Sequence, residues 1–85
     1  MKAFKYTIRN EIGIHARPAG NLVKQAKKFK SAITIKGHGK AAEATKLIAL
    51  MSLGIKRGDR ITVFVDGEDE EQCFEDMKEF FETNL

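Results

Sequence analysis

The apolar residues of this sequence change their spacing repeatedly along the chain, and that alternation restricts the architectures open to it. Phe4, Tyr6 and Ile8 share one parity while Lys5, Thr7 and Arg9 take the other, the pattern of a half-buried strand. After a loop broken by Gly13, the residues Ala19, Leu22, Val23, Ala26 and Phe29 recur at helical spacing, which predicts a helix from Ala16 to about Lys28. Pro18 suits its first turn, where a missing N–H costs no hydrogen bond, and lysines near its end complement the helix dipole. Ile33 and Ile35 alternate within Ser31–Lys36, Gly37-His38-Gly39 predicts a turn, and Lys40–Glu43 predicts a short returning strand. Thr45 is the predicted N-cap of a short helix reaching Leu53, with Gly54 placed to end it. Ile61, Val63 and Val65 define another strand. Glu68, Asp69, Glu70 and Glu71 then open a last helix whose core stripe is Cys73, Phe74, Met77, Phe80 and Phe81.

The order is therefore β-α-β-β-α-β-α. Three amphipathic helices need one shared sheet face to bury their stripes, so the expected class is α+β, a two-layer open-faced sandwich. The helical connection between the first two strands leaves room for another strand between them, a split βαβ arrangement. Eighty-five residues enclose only one core, so residues 1–85 are expected to form a single domain. Nothing demands more than a monomer. The first ten residues hold no signal-type apolar run, and nothing approaches a membrane span. Cys73 is alone, which excludes an internal disulfide and a cysteine-only metal cage. These features fit a cytoplasmic protein with no metal site and no membrane insertion.

A net charge of +3 is mild, but Lys24, Lys27, Lys28 and Lys30 crowd one segment. Such a patch suits an acidic protein or a phosphate about as well as nucleic acid. An RNA-binding sheet wants basic residues interleaved with aromatics. Here Phe64, of opposite parity to Val63 and Val65, is the one strand aromatic expected on the uncovered face, so no nucleic-acid partner is expected.

The segment Gly13-Ile14-His15-Ala16-Arg17-Pro18-Ala19 carries the chemistry. His15 falls at the N-cap of the first helix, where Ser, Thr, Asp and Asn are the favoured residues. Free amides at a helix entrance form an anion site, so those of Ala16 and its neighbours can meet the oxygens of a phosphoryl group on the imidazole. Arg17 can add a bidentate charged contact, and Pro18 stiffens the turn. From spacing alone a blander reading stands beside this one: His15 as an idle surface residue, Arg17 as a solvated charge, Pro18 as ordinary punctuation.

The same segment resembles the active-site signature of HPr, the histidine-containing phosphocarrier family of the bacterial phosphoenolpyruvate-dependent sugar phosphotransferase system. Met51-Ser52-Leu53-Gly54-Ile55 resembles the family's second signature, and Gly67-Glu68-Asp69-Glu70 is similar to its entry into the last helix. The resemblance covers essentially the whole chain. It implies a four-stranded antiparallel sheet covered on one side by three helices. It also implies that enzyme I, drawing on phosphoenolpyruvate, phosphorylates His15 at Nδ1, and that the group passes to a histidine on the IIA component of a sugar transporter, with no bound cofactor. An HPr-like paralogue in a regulatory relay, for example a nitrogen-related one, is the alternative within the family. A small nucleic-acid-binding domain is a distant alternative from another class, and a purely structural interaction module is the remaining reading.

The short helix is too apolar for one face. Leu50 and Leu53 suit the core, whereas Leu47, Ile48 and Met51 are either buried with them or left exposed as a partner site. The resemblance favours exposure and places Gly20, Lys24 and Lys27 on the same docking surface. Gly20 costs a helix interior about 1 kcal/mol relative to Ala. One position departs from the pattern: many Gram-positive members carry a regulatory serine where this chain has Lys46. A lysine cannot accept that phosphate, so this branch of regulation is expected to be missing or altered. Ser52 is expected to be structural, and no function is expected of His38 or Cys73.

Overall fold

A computed structural model describes residues 1–85. Its elements run β1 (Lys2–Thr7), α1 (Ala16–Ala26), β2 (Ala32–Gly37), β3 (Lys40–Glu43), α2 (Leu47–Met51), β4 (Arg60–Asp66) and α3 (Glu70–Asn84). The four strands form one antiparallel sheet in the order β1-β4-β2-β3, so β4 occupies the gap left by the split βαβ connection.

The alternation sorts the two sheet faces. Ile33, Ile35, Ile61, Val63 and Val65 are buried under the helices, with Phe4 and Tyr6 packed against them. Phe64 lies opposite Ala3 and Thr34 on the uncovered face, where it is half-buried by its neighbours. In α3 the buried residues Cys73, Met77 and Phe81 recur every four positions, one stripe of a helix. Phe81 meets Phe4 and Tyr6 edge-on at centroid distances of 6.0 and 5.7 Å, which locks α3 onto β1.

The helix ends differ from the sequence expectations, and each difference has a tertiary cause. The first helix stops at Ala26, and Phe29 reaches the core from the following loop. That loop is drawn to α3: the Asp69 carboxylate accepts the Lys30 and Ser31 amides at 2.8 and 2.9 Å, as well as the Ser31 hydroxyl. Asp69 is thereby committed to a distant segment, and α3 begins at Glu70 rather than at Glu68. Thr45 does not cap the short helix. Ala44 is fully buried and its amide bonds to the Ile33 carbonyl, so the chain stays extended past β3. A turn follows, closed by the Lys46 amide on the Glu43 carbonyl, and Lys46 becomes the N-cap with no side-chain cap bond. The Gly54 amide closes a turn onto Met51 beyond the helix end.

Gly37 belongs to β2, leaving His38-Gly39 as a two-residue hairpin turn. Both residues have positive φ, 53° and 72°, the signature of the turn whose twist matches antiparallel strands.

Candidate functional site

The loop from Ile8 to His15 is fixed before it reaches the helix. Asn10 turns it: its side-chain oxygen accepts the Ile12 amide at 2.9 Å, and its carbonyl accepts the Gly13 amide at 3.0 Å. Gly13 sits at φ 81°, where a Cβ would lie 2.3 Å from the Ile55 carbonyl oxygen and 2.6 Å from Lys56 Cα. Only glycine allows that approach. It lets the Ile14 amide donate to the Ile55 carbonyl at 3.1 Å while the Ile14 side chain enters the core.

His15 then stands at the N-cap of α1 with extended backbone (φ −125°, ψ −176°) and no side-chain cap bond. Its carbonyl accepts the first intrahelical bond, from Ala19 at 2.9 Å, so the amides of Ala16 and Arg17 lie ahead of the helical ladder. The imidazole is half-buried, and with Arg17 and Pro18 it lines a cleft of about 320 Å³ open to solvent. Arg17 is exposed and takes part in no ion pair within the chain. Pro18 is buried, which anchors the first turn. An imidazole and an unpaired guanidinium thus line one cleft at a helix entrance whose first amides lie outside the helical ladder, groups of the kind that bind an oxyanion.

Four further cleft residues escaped the sequence reading: Asn10, Ile12, Asn21 and Asn84. Asn10 carried a signal, an Asx residue three positions before a glycine. Asn84 carried none, since it reaches the cleft from the far end of the chain, where the Asn10 side chain donates to its carbonyl at 3.3 Å. A second depression, about 270 Å³ between α1 and α3, has Asp76 and Glu79 in its walls and is ill suited to phosphate.

The predicted docking residues fall on two adjacent helices. Lys24 and Lys27 are exposed along α1 and just past its end. Gly20 is half-buried, and a Cβ there would meet nothing within 4 Å, so internal packing does not demand glycine. On α2, which packs against α1, Leu50 is buried whereas Leu47, Ile48 and Met51 are 38%, 74% and 40% exposed. Lys46 is exposed at the head of the same helix. No group of His, Cys, Asp or Glu side chains is placed to hold a metal ion, and no helix is long and apolar enough to cross a membrane.

Comparison with known proteins points the same way. The family model described as the PTS HPr component phosphorylation site matches residues 2–83. The phosphocarrier protein HPr of Lysinibacillus sphaericus is 44% identical over 75 residues, covering 88% of this chain and 85% of that protein. The HPr of Mycoplasma genitalium is 42% identical over 85 residues, covering 99% and 97%. The crystal structure of HPr-C-His from Thermoanaerobacter tengcongensis superposes with a TM-score of 0.91 at 34% identity, covering 98% of this chain and 93% of the other. With the family model and the structural match each spanning nearly the whole chain, the chain belongs to the HPr family of phosphocarriers.

Proposed function

We propose that His15 is the phosphoacceptor of a carrier that receives its phosphoryl group from phosphorylated enzyme I and passes it to a histidine on a sugar-specific IIA component. The observation that supports this best is the uncapped, half-buried imidazole at the entrance of α1 beside an unpaired Arg17. In the uptake step His15 Nδ1 attacks phosphorus in line, the P–N bond to the donor histidine breaks, and that ring leaves as neutral imidazole. In the delivery step the IIA histidine attacks the phosphorus held on His15, the P–N bond to Nδ1 breaks, and the His15 ring is the leaving group. Arg17 and the amides of Ala16 and Arg17 meet the charge on the equatorial oxygens, and Pro18 holds the turn. Positioning and charge stabilisation do the work, so the chain is a carrier rather than a catalyst and needs no bound cofactor.

The exposed residues Leu47, Ile48 and Met51 form the apolar centre of the docking surface, and Lys24 and Lys27 its basic rim. Gly20 lets a partner backbone approach α1. An acidic partner is steered by the lysines, an effect that salt weakens. With Lys46 where many relatives carry the regulatory serine, the serine-kinase branch of regulation is missing or altered. Enzyme I and phosphoenolpyruvate place the carrier in the cytoplasm.

Mass spectrometry after incubation with phosphoenolpyruvate and enzyme I tests the assignment. One acid-labile, alkali-stable phosphate should appear on His15 and none on a folded His15→Ala variant. A panel of IIA proteins then tests the destination, and transfer to no sugar IIA would move the chain to a regulatory relay.

A further inference from the structure

The His15 loop is braced from behind by groups that the carrier chemistry leaves unused. The Ile14 amide, one residue before His15, donates to the Ile55 carbonyl at 3.1 Å. The N–H of that same peptide unit, belonging to Lys56, donates to Asp59 Oδ2 at 2.8 Å. Asp59 Oδ2 also lies 2.7 Å from His38 Nε2, on the β2–β3 turn. Carboxylate, peptide and loop amide thus form one line. A carboxylate that accepts a peptide N–H polarises the peptide and strengthens the bond its carbonyl accepts.

The brace is itself held. The Asp59 amide donates to the Lys56 carbonyl at 3.0 Å, and the Asp59 carbonyl accepts the Ile8 amide at 2.9 Å, so both its backbone groups are tied. The Lys56 amide, ahead of the charges of His38 and Lys56, keeps the Asp59 carboxyl below the usual carboxylate range. His38 adopts φ 53°, a region uncommon for residues other than glycine, and there its ring meets Asp59. Gly13, pressed against Ile55 and Lys56, transmits any shift of that peptide to the loop.

We propose that Asp59, steadied by His38, is a positioning residue for phosphoryl transfer: it orients the Ile55–Lys56 peptide that anchors Ile14 and so sets His15 at the helix entrance. The inference rests on the assignment of His15 as phosphoacceptor. Transfer chemistry is sensitive to such placement, since an ångström of misalignment can cost about 100-fold in rate.

Asp59→Ala, Asp59→Asn and His38→Ala should be compared in two measurements. On the unphosphorylated protein, NMR reads the Ile14 amide shift and its hydrogen-exchange rate. Steady-state transfer from phosphorylated enzyme I then reads kcat and KM. Asp59→Ala should speed Ile14 exchange about tenfold and lower kcat about fivefold, with KM unchanged. Asp59→Asn, which still accepts from the Lys56 amide, should recover most of both, and His38→Ala should fall between. If Asp59→Ala unfolds, the other two variants carry the comparison. Wild-type Ile14 exchange and kcat in Asp59→Ala, or, should it unfold, in His38→Ala, would overturn the proposal, as would an Asp59→Asn no better than Asp59→Ala. A wild-type protein that takes up no phosphate would instead sink the phosphoacceptor assignment, and the Ile14 amide would still decide the brace.

Discussion

Replacing three glycines by alanine, one at a time, separates the forces that shape the site. At Gly13 the new Cβ would lie 2.3 Å from the Ile55 oxygen and 2.6 Å from Lys56 Cα, both backbone atoms that cannot swing aside. The residue also sits at φ 81°, where an L side chain costs roughly 1–2 kcal/mol. Forcing the loops apart adds an overpacking cost of roughly 1–3 kcal/mol. The Ile14–Ile55 hydrogen bond, worth about 1 kcal/mol, is lost with it. Gly13→Ala should therefore destabilise by about 4 kcal/mol, a large share of what a domain of this size possesses. Gly39 has a similar φ of 72° but open space around it, so Gly39→Ala should cost only the conformational part, about 1 kcal/mol. Gly20 lies inside α1 with nothing within 4 Å, so Gly20→Ala should stabilise by about 0.5–1 kcal/mol. Urea unfolding followed by far-UV circular dichroism measures all three. Equal costs at Gly13 and Gly39, within about 0.5 kcal/mol, would refute the close-approach argument.

Other perturbations probe the surface, the core and the charges. Ile48→Glu, at a side chain 74% exposed, should change stability by less than about 0.5 kcal/mol yet raise KM for phosphorylated enzyme I about tenfold; an unchanged KM would remove α2 from the docking surface. Burial, ahead of the nearby charges of Asp69 and Asp76, pushes the Cys73 thiol up to about 11. At pH 8 it should react with a disulfide reagent about 100-fold more slowly in the native protein than in denaturant, and equal rates would contradict the packing of α3. Asp59, Asp69 and Glu70 are held below their ordinary values, chiefly by the Lys56 amide, the Ser31 hydroxyl and the Gly67 amide respectively. Their stabilisation is complete above the unfolded carboxylate range near pH 4 and is lost as pH falls through the lower folded values. Calorimetry should show Tm dropping below about pH 4, with a shallower drop in Asp69→Asn; identical slopes would place the acid sensitivity elsewhere.

What the sequence disclosed follows the range of the forces involved. Alternation in β1, β2 and β4 depends on a residue and its near neighbours, so those strands were legible and sorted correctly onto two faces. The placement of His15, Arg17 and Pro18 at the start of α1 was legible for the same reason, since a helix entrance is built within one turn. The exposure of Leu47, Ile48 and Met51 was left open by their composition and pointed to by the resemblance; the structure leaves them uncovered. The errors fall where distant residues intervene. Thr45 has the right chemistry for a cap, but the burial of Ala44 against β2 carries the chain past it. Asp69 has the right charge for a helix start, but Lys30 and Ser31 claim its carboxylate across the fold. The contact between His38 and Asp59 was invisible because the two lie twenty-one positions apart. The wall of the cleft at Asn84 was invisible for the same reason.

The antiparallel ladder joining β1 to β4 pairs Lys2 with Val65 and Thr7 with Arg60, and so sets an order of assembly. As a nascent chain leaves the ribosome, His15 emerges early, but Ile55 and Asp59, which secure its loop, are made some forty residues later. Contacts of such long sequence separation form late, because closing a large loop costs entropy before any bond is gained. A polypeptide that ends before Ile55 therefore carries His15 without the carbonyl that holds the Ile14 amide, and its helix entrance stays unanchored until that segment is made.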